Sequence, residues 1–222
     1  MTVYIEKPAL SLRSELASLR NQGGYQEQQF YFDSLVTNGT FATNTNWIAY
    51  GSDAASNSIS GGVATIVGNS GYYQSFTTVI GRSYRASVNV NSTSGSNSQL
   101  KVGTTNNGEN NLVLVTSAVT SYSGTFIATA TTTFVNLKAN YAIGSTQSTV
   151  YDNVSVFETD GNDIIHTMPK GWKPKDFFED GLLQREGALN DYEVIYDGFD
   201  YVIKPTVAPS ATTQTCVIGV KA

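Results

Sequence analysis

Catalysis by side chains needs groups that trade protons, attack a substrate or hold a metal, and this sequence brings few of them together. His166 is the single histidine, with no serine or cysteine in a motif beside it. Neither a Ser/His/Asp nor a Cys/His arrangement is indicated. It lies next to Thr167 in a connecting stretch and is expected to be exposed. Paired carboxylates occur as Glu179-Asp180 and as Asp197 with Asp200. Both pairs coincide with Asp-Gly turns, where Asp and Gly serve the backbone, so glycosidase chemistry is not indicated. No phosphate-cradling glycine loop precedes a helix, and no His/Cys spacing suits zinc. Cys216, the one cysteine, cannot close an internal disulfide. Flanked by Thr215 and Val217, it reads as a small core side chain. The expectation is a protein that is not an enzyme.

The elements that would carry any site are mostly strands. Only 14% of the 222 residues are charged, well under the usual quarter. Residues 33–158 hold 5 acidic and 4 basic side chains and are kept polar by Ser, Thr, Asn and Gly, as in an all-β domain rich in turns. A net charge of −5 gives no electrostatic footprint for nucleic acid or anionic membrane. No apolar run approaches the roughly 18 residues of a membrane span. The start, "MTVYIEKPAL", lacks a basic stretch followed by an apolar one, so no signal peptide is expected.

Three segments follow. In 1–32, "PALSLRSELASLRNQGG" spaces Leu12, Leu16 and Leu19 as one apolar helical stripe that stops at Gly23-Gly24. A helix of about three turns is marginal alone and must pack on its own domain or on a neighbouring subunit. In 33–158, "GVATIVG", "GYYQSFTTVI", "SYRASVNVN", "SQLKVGTT", "NLVLVTSA", "YSGTFIATA", "TFVNLKANYA" and "TVYDNVSVFE" alternate apolar and polar residues between Gly- and Asn-rich turns. Eight such strands predict a two-sheet sandwich of jelly-roll topology. In 159–222, hairpins about Asp180-Gly181 and Asp197-Gly198 and a last strand through Cys216, Ile218 and Val220 predict a small antiparallel module. The fold class is therefore mainly β: a jelly-roll sandwich, a small C-terminal β module and one short N-terminal helix.

The motifs "LVTNGTFATNTNWIAYG" (35–51), "GYYQSFTTVIGRSYRASVNV" (71–90), "YSGTFIATATTTFVNLKA" (122–139) and "VYDNVSVFE" (150–158) resemble, in that order, the jelly-roll carbohydrate-binding modules of xylanases and related hydrolases. The resemblance implies that Phe41 points into the core. It makes Trp47 an edge-packing ring or a sugar platform. It also implies a structural calcium at Asp152 with backbone near Asn38, although Ala42 and Asn153 stand where the family has acidic residues. A sugar site would be built of exposed aromatic rings flanked by amides, for which Tyr50, Tyr72, Tyr73, Tyr122 and Tyr141 are the candidates. No other cofactor is implied.

Residues 176–220 present a strand, Asp-Gly, "LLQ", an Asn-Asp-Tyr link, a hairpin, "AP" and a closing strand. This resembles the small β modules of bacteriophage tail fibres and other virion appendages. It implies a virion protein made in the host cytoplasm, partnered by capsid, portal or tail proteins. The flat hairpins 176–185 and 192–204 expose edges that a neighbour could cover, so a homo-oligomer, a trimer first, is expected. Host surface polysaccharide is an expected contact, and neither nucleic acid nor membrane is expected as a partner. The alternative is a dedicated glycan-binding adhesin module.

Overall fold

A computed structural model describes residues 27–221, apart from 96, 97, 162, 188, 189, 211 and 212. The expected helix with Leu12, Leu16 and Leu19 lies outside the described residues. Within them the chain is built of antiparallel strands, with a single short 3₁₀ turn at Ala54–Ser56.

After β1 (Glu27–Tyr31), the sandwich runs through β2 (Ile48–Gly51), β3 (Ser58–Ser60), β4 (Val63–Val67), β5 (Asn69–Thr77) and β6 (Ser83–Thr93). It continues with β7 (Ser98–Gly103), β8 (Leu112–Thr116), β9 (Ser121–Ile127), β10 (Thr132–Asn140) and β11 (Ser148–Glu158). The eight alternating segments of the sequence are β4 to β11. One sheet has the order β2-β5-β10-β7-β8 and the other β3-β4-β11-β6-β9. The pairs β4·β11, β5·β10, β6·β9 and β7·β8 nest inside one another, first strand with last and so inward. Split between two sheets, that nesting is a jelly roll, with β2 and β3 added at the edges.

Period-two alternation decides which side chains enter the space between the sheets. On β10 the inward set is Thr133, Val135, Leu137 and Ala139, all fully buried. Leu100 and Val102 on the adjacent β7 extend this layer, and Ala86, Val88 and Val90 on β6 of the other sheet face it. Each large aliphatic side chain contributes roughly 1.5–3 kcal/mol by leaving water. Trp47 and Phe41 close one side of this core, their rings 5.2 Å apart. The loop between Asn38 and Trp47 is tied by the Asn38 amide, whose Nδ2 donates to the carbonyls of Thr43 (2.7 Å) and Thr45 (2.9 Å). Trp47 is buried and donates Nε1 to the Asn38 carbonyl, which makes it a core ring and not a platform.

The C-terminal module comprises β12 (His166–Thr167), β13 (Trp172–Glu179), β14 (Leu182–Leu183), β15 (Tyr192–Tyr196), β16 (Tyr201–Pro205) and β17 (Thr215–Lys221). Its sheets, β1-β17-β13-β14 and β12-β16-β15, enclose a second core of Met168, Phe177, Tyr192, Ile203 and Val217 with Phe30 and Trp172 against it. Strand β1 thus falls in the segment expected to end at residue 32, yet pairs along its whole length with β17, Glu27 opposite Val220.

Two expectations are corrected here. His166 is not an exposed linker residue. Pairing of β12 with β16 turns it inward, 3% exposed, with its ring stacked on Phe32 at 5.2 Å. Burial holds its pKa down at about 4, so the imidazole is neutral. Cys216 is not a core residue. The buried set on β17 is Thr215, Val217 and Gly219, one step out of phase, which leaves Cys216 on the outer face. There its sulfur accepts a hydrogen bond from Gln29 Nε2.

Candidate functional site

The same alternation that fills the core with Val135 and Leu137 sends Phe134, Asn136 and Lys138 to the outer face of the β2-β5-β10-β7-β8 sheet. Register then aligns that face into rungs. Tyr50 lies opposite Gly71, which lies opposite Lys138, then Gln99 and Val115. The next rung is Ile48, Tyr73, Asn136, Lys101 and Val113. A third sets Ser75 beside Phe134 and Gly103.

Three half-buried rings form a row across these rungs. Tyr50 and Tyr73 have centroids 6.0 Å apart, and Tyr73 and Phe134 5.9 Å apart. The row depends on a missing side chain. A Cβ on Gly71 would sit 2.5 Å from Cε1 and Cζ of Tyr50 and 2.3 Å from the Leu137 carbonyl, so only glycine lets Tyr50 lie down across β5. The Tyr50 hydroxyl is buried without a partner among the described residues, and desolvation pushes its pKa up. Beside the row, a groove of about 390 Å³ is bordered by Ile48, Ser75, Thr37 and Asn46.

One end of the face is covered. The β7–β8 loop folds back so that Asn107 N–H donates to Asn136 Oδ1 at 2.6 Å, and Asn136 Nδ2 donates to the Gly108 carbonyl. Lys101, 5% exposed, reaches Glu109 Oε2 at 2.7 Å and Asn107 Oδ1 at 3.3 Å. Glu109 is itself exposed, and the Lys101 ammonium holds its carboxyl below the usual range. Lys138 is half-buried and has no ion pair among the described residues. Desolvation first, then the Lys101 charge, lowers its pKa. Asn136 and Lys101 are buried and spent on the loop, which leaves the tilted rings, Gln99 and Lys138 as the groups that can stack a sugar and bond its hydroxyls.

Of the five expected tyrosines, this face unites Tyr50 and Tyr73. The other three are corrected to core or core-packed rings. Tyr72 follows the opposite parity to Tyr73 and is 5% exposed. Tyr141 is 6% exposed, its hydroxyl 2.9 Å from Thr93 Oγ1 and 3.3 Å from Thr149 Oγ1. Tyr122, opposite Val88 on β6, packs against the sandwich core. Phe134, Asn136 and Lys138 were not singled out in the sequence. Their signal is the polar phase of "TFVNLKAN", in which an aromatic residue stands among the outward residues.

Asp152 is not joined by other carboxylates among the described residues. Calcium wants six or more oxygens, several of them carboxylate. Asp152 Oδ1 accepts from the backbone N–H of Asn153 at 2.7 Å, and the Thr43 and Thr45 carbonyls already accept from Asn38. Among the described residues no three His, Cys, Asp or Glu side chains converge as a metal would require.

The fold and the site together define a β-sandwich of jelly-roll order with an aromatic, amide-flanked outer sheet face. No family model and no curated protein matches the chain. Among solved structures it is similar to one described as "CBM4 structure and function", at 12% identity and a TM-score of 0.43. That alignment covers 56% of this chain and 99% of the other. The jelly-roll assignment stands on the strand order alone.

Proposed function

We propose that this chain is a non-enzymatic glycan-contacting protein of a bacteriophage virion, a fibre, decoration or adaptor component whose sandwich meets host surface polysaccharide. The observation that carries the glycan reading is the row Tyr50, Tyr73 and Phe134 on one sheet face. A π-face is what a pyranose ring stacks on, and the three rings, tilted by 60° and 51° to their neighbours, offer such faces at successive angles along the row. The virion setting is supported by the likeness of residues 176–220 to tail-fibre modules. Assembly with capsid, portal or tail proteins and a homotrimer belong to the same reading.

The glycan reading is tested by affinity electrophoresis through gels cast with host polysaccharide. The wild-type chain is expected to be retarded, and Tyr73→Ala and Phe134→Ala to run freely while melting within a few degrees of wild type. Equal retardation of all three would remove the row from the site. For assembly, light scattering on the full chain is expected to give three times the 23.8 kDa of one chain. A monomer at working concentration contradicts the trimer. A second reading, in which the sandwich is a spacer, is favoured by the β7–β8 loop lying on one end of the face. It predicts no retardation in any gel.

A further inference from the structure

We propose that the outer face takes an anionic glycan, with the negative group seated against Lys138 beside the Tyr50–Tyr73 pair. This rests on the glycan reading above. Residues 33–158 contain two lysines, and both fall on this face, Lys101 on β7 and Lys138 on β10. They are diagonal neighbours, since Lys138 pairs with Gln99 and Lys101 with Asn136, a spacing of roughly 7–8 Å in sheet geometry.

The two ammoniums are not equivalent. Lys101 is deep and its charge is offset by Glu109 at 2.7 Å. Lys138 stands in the rung between Gly71, which the Tyr50 ring overlies, and Gln99. Its charge has no ion-pair partner among the described residues. In a chain of net charge −5, two ammoniums against one carboxylate leave a local excess of one positive charge next to the rings. Half-burying an ammonium without an ion pair is unfavourable, the Lys101 repulsion adds to that, and the attraction of Glu109 is the smaller, opposing effect. A neutral sugar does nothing to relieve either cost. A ring carboxylate or a phosphodiester relieves both, while the rings stack the sugar beside it.

The test is titration calorimetry on the full chain with three probes: hexagalacturonate, poly(glycerol phosphate) and neutral cellohexaose. At least one anionic probe is expected to bind about tenfold or more tightly than cellohexaose at low salt, and to weaken as salt screens the charge. The other anionic probe then tells carboxylate from phosphodiester. Lys138→Gln is expected to bring the anionic-to-neutral affinity ratio close to one, and Lys138→Arg to restore it. An unchanged ratio in Lys138→Gln, or tighter binding of cellohexaose by wild type, overturns the charge assignment and leaves the glycan reading standing. Binding of none of the probes, with host polysaccharide gels also negative, overturns both.

Discussion

Adjacent residues with the same side chain should answer the same truncation differently here, because strand parity sends one ring into the core and the next onto the surface. Tyr72 is packed between the sheets, so Tyr72→Ala is expected to cost roughly 3–5 kcal/mol, as other large-to-small core changes do. Tyr73→Ala, on the outer face, should cost under about 1 kcal/mol. Urea denaturation of the two variants checks this, and equal losses would contradict the assigned faces. His166 gives a second prediction at a single side chain. Unfolded, it takes up a proton near its ordinary pKa of 6.5; folded, it does so only at about 4. Between those values the unfolded chain binds more protons, so the contribution is full above pH 6.5 and is lost as pH falls through 4. The loss amounts to roughly 3 kcal/mol at most. Burial pushes the Glu158 and Glu179 carboxyls upward, the opposite sense, so the comparison must be a difference. The stability of wild type minus that of His166→Phe should rise with pH between 4 and 6.5; a flat difference would contradict the buried neutral imidazole.

Strands were legible where alternation ran for five residues or more, which is why β4 to β11 could be read and β2, β3 and β12 could not. "IAYG", "SIS" and "HT" are too short to show a period, and only their partners β5, β4 and β16 make them strands. The site was half legible for a related reason. Composition marked tyrosine as the candidate type, but parity, not type, separates Tyr50 and Tyr73 from Tyr72, Tyr122 and Tyr141. Long-range register then adds Phe134 and Lys138 to the same face, which no local window contains. Close approach between elements is equally hidden. Gly39 has room for no side chain, since a Cβ there would lie 1.9 Å from the Val154 carbonyl oxygen, while Val154 N–H donates to the Gly39 carbonyl at 2.9 Å. Gly39→Ala must part the Asn38–Trp47 loop from β11 and is expected to cost about 2–3 kcal/mol by overpacking. A thermal melt indistinguishable from wild type would contradict that contact.

The sandwich and the C-terminal module meet along a seam that the sequence did not foreshadow. Arg82 Nη1 is 3.1 Å from Glu158 Oε1, and its Nη2 is 3.7 Å from Asp200 Oδ2 in the β15–β16 turn. Thr167 Oγ1 donates to Glu158 Oε1 at 2.9 Å. A cavity of about 220 Å³ lies beside them, bordered by Phe32, Leu35, Tyr84, Phe157 and His166. Arg82→Ala is expected to loosen this seam, so that one calorimetric transition of the full chain broadens or splits in two; an unaltered single transition would show that the ion pairs do not couple the modules. The molecule also presents a rival aromatic surface, the β15–β16 turn, where Tyr196 is 58% and Phe199 85% exposed. The decisive measurement therefore locates the ligand. Aromatic carbon–proton NMR of the full chain, titrated with a retarding host polysaccharide fragment, is predicted to shift the Tyr50, Tyr73 and Phe134 resonances and leave Tyr196 and Phe199 in place. Shifts confined to Tyr196 and Phe199, or no shift at any of the five rings, would contradict a glycan site on the outer face of the sandwich.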